Sequence, residues 1–347
     1  MGNAIADYFI MLIILFLLGI ELFYNVKFKP KNKNFFDLKN TKAIRGVGIF
    51  LIIFVHAPII YQNKIQDMIG SFTYVFITFF FMTSAYGLTI AQSKNPDGIE
   101  HFWRKRLPKL LITSWIVNLI KTLLDITIYK RNLNIISLFS IEEWLKWLLA
   151  CYFALWISFI VFKGKDIWKI ACSVLVIIGS IIMYYLKNAG IYTDTTWHTE
   201  CYGFIWGIIL ASIGSSECLN FFLKKWKMKL SFSILIAIVL GVLYLKFKPI
   251  LFWGDYLLKI LLGAAIIFLI LVINAKVDFG NRISLFIGEM TLEIFLVHGY
   301  IIDLLNYIHV WKFGGMYLLS TIFITVISAI IIHVLTNLIM ERVHRFL

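Results

Sequence analysis

Charge is what this 347-residue sequence has least of. Asp, Glu, Lys and Arg together make up 15%, against about 25% in an ordinary soluble domain. Proline is scarce as well, at five residues, so few breaks interrupt the apolar runs. Cys151, Cys172, Cys201 and Cys218 stand far apart without a CxxC pair, which argues against a disulfide framework or a metal site. They read as small buried hydrophobes. P-loop, GxSxG, HExxH and GxGxxG motifs are all missing, which disfavours ATP-driven pumps, serine hydrolases and zinc proteases of those motif classes. What is abundant is apolar: 61% hydrophobic residues, 17% aromatic, and a mean hydropathy of +0.86. Such a chain is an all-α integral membrane protein.

Runs long enough to cross about 30 Å of hydrocarbon fall at 4–26, 43–62, 68–92, 107–129, 143–162, 167–187, 198–214, 230–246, 251–273, 284–308 and 315–340. The expectation is a polytopic helical bundle of about 10–11 transmembrane helices, with residues 1–347 forming one domain. The opening run has no basic segment before it and no small-residue cleavage site after it, so it reads as a retained helix.

The cations give the orientation. Lys27, Lys29, Lys31, Lys33, Lys39, Lys42 and Arg45 crowd the first connector, and every second connector after it is also basic. Those between them carry fewer cations, or offset them with acids such as Glu142 and Glu143. By the positive-inside rule the basic set is cytoplasmic, with the N-terminus outside and the C-terminus inside. The net charge of +14 is then mostly orientation signal and attraction to anionic lipid. No nucleic-acid partner is implied, since no basic domain with exposed aromatics exists.

Arg45 and His56 share one apolar segment. Eleven residues at ~1.5 Å place the histidine ~16 Å beyond the arginine, and within ~20° of it on the helix face. Pro58 bends or ends that helix. Ionisable groups at such depth are costly and point to function, although Arg45 also suits an interfacial anchor and His56 a helix–helix hydrogen bond. His298 lies ~21 Å along a helix starting near Ser284. Glu289 and Glu293 precede it at i,i+4 spacing on one helix face. Ser84 sits among small residues that permit close helix approach. Arg106 and Lys109 flank Pro108 in the first turn of a helix, a place for phosphate as well as plain topology signal. Lys121 and Asp125, at i,i+4, are expected to neutralise each other.

These residues resemble the membrane acyltransferase-3 family. Arg45-Gly46 followed by His56 resembles its arginine–ten residues–histidine motif. SAYGL at 84–88 is similar to its SGYGL element, with Ala85 for glycine, and FWRKRLPKLL at 102–111 to its basic segment. Trp197, Phe204 and Gly207 resemble its W…FxxG segment. GEMTLEIFLVH at 288–298 resembles G-x-x-S-L-E-I-Y-L-x-H, with Thr291 for serine and Phe295 for tyrosine. The matches run in family order over 42–298 and leave residues 1–26 as an extra helix.

The resemblance implies acetyl-CoA as donor and an extracytoplasmic polysaccharide or lipid-linked glycan as acceptor. The expected enzyme O-acetylates a cell-envelope or capsular polysaccharide at the bacterial plasma membrane. Arg45, Arg106, Lys109 and Ser84 would hold the donor. His56 would act as base or acyl acceptor with Arg45 beside it, and His298 and Glu293 would orient the reacting groups. A proton-coupled transporter or lipid-linked glycan flippase is the competing class.

Overall fold

The computed structural model describes residues 2–57, 64–162, 165–308 and 314–346. Its helices are α1 (Gly2–Phe23), α2 (Leu38–His56), α3 (Lys64–Gly70), α4 (Tyr74–Lys94), α5 (Phe102–Thr127), α6 (Ile135–Leu138), α7 (Glu143–Val161) and α8 (Ile167–Asn188). There follow α9 (Tyr202–Ile213), α10 (Ser215–Leu223), α11 (Trp226–Phe247), α12 (Lys259–Asn274), α13 (Arg282–Glu289), α14 (Thr291–Ile308) and α15 (Gly314–Phe346). One two-residue pairing, β1 (Lys27–Phe28) with β2 (Val277–Asp278), is antiparallel. The chain is an all-α polytopic membrane protein.

Among the described residues eight helices are long and apolar enough to cross a membrane. They are α4, α5, α7, α8, α11, α14, α15 and the continuous stretch Trp253–Asn274 that ends in α12, and a ninth span results if α9 and α10 count together. That pair is bent by 93° at Gly214, whose φ of +90° is open to glycine and strained for other residues. Of the two remaining candidates, α1 is apolar over Tyr8–Phe23, and α2 carries Lys39, Lys42 and Arg45 in its first half. Leu235, Ile238 and Val242 on α11 are exposed, as lipid-facing residues of a spanning helix are.

Two glycine contacts set the core. Without a hydrophobic drive between helices in lipid, close packing relies on small residues. A Cβ on Gly203 would lie 1.9 Å from the Thr78 carbonyl oxygen, and one on Gly207 would lie 2.2 Å from that of Met82. The α9 backbone therefore rests directly on α4. Likewise a Cβ on Gly46 would meet the Ser284 carbonyl at 2.5 Å, and one on Gly288 would meet that of Lys42 at 2.1 Å. This second contact locks α2 to α13 and sets the spacing of everything both helices carry.

The basic end is knitted by side chain–backbone bonds. Asp37 caps α2 by accepting from the Asn40 amide at 2.8 Å, and Asn281 caps α13 through the Ile283 and Ser284 amides at 2.9 Å. Asn40 accepts from the Phe279 amide at 2.7 Å, and Lys29 pairs with Asp278 at 2.6 Å. The 27–37 connector is thereby tied to the α12–α13 connector.

Several local expectations change. α2 ends at His56, which is therefore terminal and not mid-helix. Ala57 takes φ −70°, ψ 104°, the extended geometry imposed on a residue before proline; Pro58 itself lies outside the described residues. Gln66 donates to the freed carbonyls of Phe54 and Ala57, at 2.6 and 2.9 Å. Glu289 and Glu293 do not share a helix, because the chain breaks at Met290 between α13 and α14. α5 starts at Phe102, so Pro108 is inside it and the Arg104 carbonyl loses its helical donor. Asp125 pairs with Arg131 at 2.9 Å, while Lys121 lies over the Tyr300 ring at 4.8 Å. The nearer guanidinium supplies planar donors that the lysine lacks.

Candidate active site

Two clusters lie along α2, one around Arg45 near its midpoint and one at its His56 terminus. In the first, α2 brings Arg45, α4 brings Ser84, α5 brings Arg106 and α7 brings Tyr152. The buried Tyr152 hydroxyl donates to Ser84 Oγ at 3.4 Å, and the charges of Arg106 and Arg45 both act on it. Among the described residues neither arginine has a carboxylate partner, and Arg45 Nε is buried without a hydrogen bond. Uncompensated guanidinium groups beside a hydroxyl are suited to an anion with several oxygens, such as phosphate. Lys109 is exposed one turn beyond Arg106, and its charge reaches Glu289. Glu289 bonds Lys42 at 2.8 Å, and that bond holds its carboxyl below the usual carboxylate range.

At the terminus His56 meets His298 on α14. Their rings are 5.2 Å apart, with His298 Nε2 3.3 Å from His56 Nδ1. The partners fix the tautomers. The Phe295 carbonyl can only accept, so His298 Nδ1, at 2.7 Å, carries the proton. In neutral His298 the Nε2 atom then accepts, and His56 Nδ1 donates to it. His56 Nε2 is left with a free lone pair. A carbonyl–imidazole–imidazole chain of this kind orients the terminal ring as a base, as the third group of a catalytic triad does.

His56 is exposed and His298 buried, and both line a cavity of about 310 Å³. Its walls include Trp144, Trp197, Phe295 and Tyr300, with Glu142 and Glu143 at the α7 start. Tyr300 donates a short hydrogen bond to Glu142, and Trp144 packs on Phe295 at 4.8 Å. Phe295 thus fills aromatic space that needs no hydroxyl.

Glu293 has a different neighbour. It is fully buried, and its Oε1 is 2.8 Å from His333 Nδ1 on α15. It holds α14 to α15 and is not hydrogen-bonded to His298. Sequence does not single out Tyr152, Trp144, Tyr300 and His333, since a ring side chain in an apolar run reads as core, and it marks Glu142 only as an offset to connector cations. Trp197 and Gly207 were marked only through the resemblance.

The motif residues fall into roles visible in the fold. Arg45 and His56 lie on one helix, Gly46 and Gly288 join it to α13, and His298 completes the histidine pair. A search of curated proteins finds no match, and a search of solved structures finds none. A family model described as an acyltransferase domain matches residues 38–336, from the first residue of α2 to well inside α15. That span takes in both clusters and both glycine contacts, and the chain belongs to the membrane acyltransferase-3 family.

Proposed function

We propose that this membrane acyltransferase moves an acetyl group from cytoplasmic acetyl-CoA to a hydroxyl of a cell-envelope or capsular polysaccharide, in a bacterial plasma membrane. The observation that carries the reading is the His56–His298 pair, whose tautomers leave a basic nitrogen facing a cavity. Arg45 stands eleven residues back along the same helix and Arg106 on α5, and neither has a carboxylate partner among the described residues.

In this reading the basic connectors face the cytoplasm. Arg45, Arg106, Ser84 and Lys109 receive the phosphates of the donor, and its thioester extends toward His56. His56 Nε2 takes the proton of the acceptor hydroxyl as that oxygen attacks the thioester carbonyl. The C–S bond breaks, the ester forms, and the CoA thiolate leaves and takes a proton. His298 holds the ring of His56 and shares the charge that the proton brings. The C-terminal end of α2, with its partial negative charge, favours that charge further. Imidazole is suited to this work because it titrates near neutral pH.

The test is direct. Purified protein incubated with radiolabelled acetyl-CoA and glycan from its host should transfer label in an alkali-labile, ester-linked form. Label that stays on CoA, with every host glycan fraction supplied, rejects the reading.

A further inference from the structure

A second cavity, of about 350 Å³, adjoins the first and shares Tyr300 with it. It lies between the ends of α5 and α14, and the two-histidine chemistry makes no use of it. Three tyrosines, 129, 300 and 307, line it together with Lys121, Asp125, Arg131 and Asp303. Tyr129 and Tyr307 meet edge to face at 4.6 Å, and Tyr307 is 51% exposed. Asp303 is exposed, with no hydrogen bond or ion pair among the described residues.

The composition of this wall selects a ligand. Two cations stand with two carboxylates, so the cavity carries no net charge and offers no preference for an anion. Its polar groups, a carboxylate, a planar guanidinium and an ammonium, can each engage hydroxyls as acceptors or donors. Lys121 lies over the Tyr300 ring at 4.8 Å and Arg131 over the Tyr129 ring at 4.9 Å, so the exposed Tyr307 ring is the face that takes an apolar C–H surface, with its hydroxyl as a polar tip. A pyranose ring has both: a C–H face and a rim of hydroxyls. The volume is at the small end of ligand pockets, roughly 300–1,000 Å³, which fits one or two sugar units. Asp303 follows His298 by five residues, ~7.5 Å along the α14 axis.

We propose that this cavity binds an uncharged pyranose unit of the acceptor, next to the unit that takes the acyl group. The proposal rests on the glycan acceptor named above and adds where the glycan is held and what kind of sugar is read. Asp303 and Tyr307 are its recognition residues, and neither touches the reacting atoms.

A thiol-protection experiment tests this without catalysis. All four native cysteines are buried, so in the full chain Leu124→Cys, on the cavity wall, supplies the reactive thiol. Its labelling by a maleimide is followed with short neutral oligosaccharides of glucose, galactose, mannose or N-acetylglucosamine. At least one should slow labelling about threefold, the protection given by a ligand at twice its Kd. Labelling of Lys248→Cys, away from the cavity, should not change. Adding Asp303→Asn or Tyr307→Ala to Leu124→Cys should remove the protection, and adding His56→Gln should leave it. No protection by any neutral sugar, protection by uronic-acid oligosaccharides alone, or equal slowing at Lys248→Cys overturns the proposal. No acyl donor is present, so such a failure leaves the acyl-transfer reading standing. Protection in a protein that fails to acetylate would count against the chemistry and not against this site.

Discussion

The two halves of α2 are built on opposite principles. The first half, which carries Arg45, is dense: capped by Asp37, bonded to Phe279 through Asn40, strapped by Lys29–Asp278, and seated against α13 through Gly46 and Gly288. Its unpaired charges sit on a rigid frame, which suits a fixed anionic ligand. The histidine end is hollow. Two cavities meet at Tyr300, and the helix terminus there is completed by a side chain from α3. A site that receives a large acceptor needs that space. One helix therefore joins a densely packed half that carries Arg45 to an open terminus that carries His56, held at a fixed separation.

The largest effect should come from the open end. His56→Gln keeps hydrogen-bonding capacity but cannot take a proton, and acetyl transfer should fall ~10²–10⁴-fold while CoA affinity is unchanged. Near wild-type transfer at matched membrane levels would reduce His56 to a packing residue.

At the dense half, Arg45→Ala and Arg106→Ala should each weaken CoA binding. A charge-assisted contact contributes roughly 1.5–3 kcal/mol, or about ten- to a hundredfold in affinity. Added salt should weaken the wild type more than the double variant. Calorimetry showing unchanged affinity in both single variants would assign the two arginines to topology.

The separation between the two clusters depends on the glycine contact. Gly46→Ala and Gly288→Ala each drive a methyl group into a carbonyl oxygen, and overpacking of this kind costs about 1–3 kcal/mol. Both should lower the unfolding temperature and reduce transfer, whereas Gly87→Ala, with open space around its Cβ position, should do neither. Equal behaviour of the three variants would remove the contact from the account.

The smallest effect belongs to Lys42–Glu289. The folded-state pKa of Glu289 is depressed below 4.5, so the stability it adds is present above pH 4.5 and declines as pH falls through the folded value. The carboxylate is half exposed and screened by solvent, which limits the pair to less than about 1 kcal/mol. Glu289→Gln should shift the melting temperature slightly at pH 7 and not at all once the carboxyl is protonated. A shift that persists unchanged in acid would point to lost packing.

Much of the bundle was legible because long apolar runs and charged connectors are one-dimensional signals. Among the described residues the eleven runs fall mostly on helices, although 284–308 is broken at Met290 and eight or nine of them qualify as spans. Arg45, His56 and His298 stand out as ionisable groups in apolar surroundings. What sequence did not show is the set of distances between helices. Glu293 reads as a neighbour of His298, five residues away, yet it turns to His333. Asp125 reads as the partner of Lys121, yet a loop arginine reaches it first. Tyr152 looks like core until Arg45, Arg106 and Ser84 are seen around it. The glycines were a readable clue: Gly203 and Gly207 have the small-xxx-small spacing of a close helix contact.

The hydrogen bonds from Gln66 to the end of α2 have a consequence for synthesis on the ribosome. His298 is made 242 residues after His56, which at about 5–20 residues per second is roughly ten to fifty seconds. Gln66 is made ten residues after His56, within about two seconds at that rate. The terminus that carries His56 can thus be finished almost at once, by a residue from the next helix. Its free carbonyls need not wait in the bilayer for α14, and the second imidazole arrives to a helix end already closed.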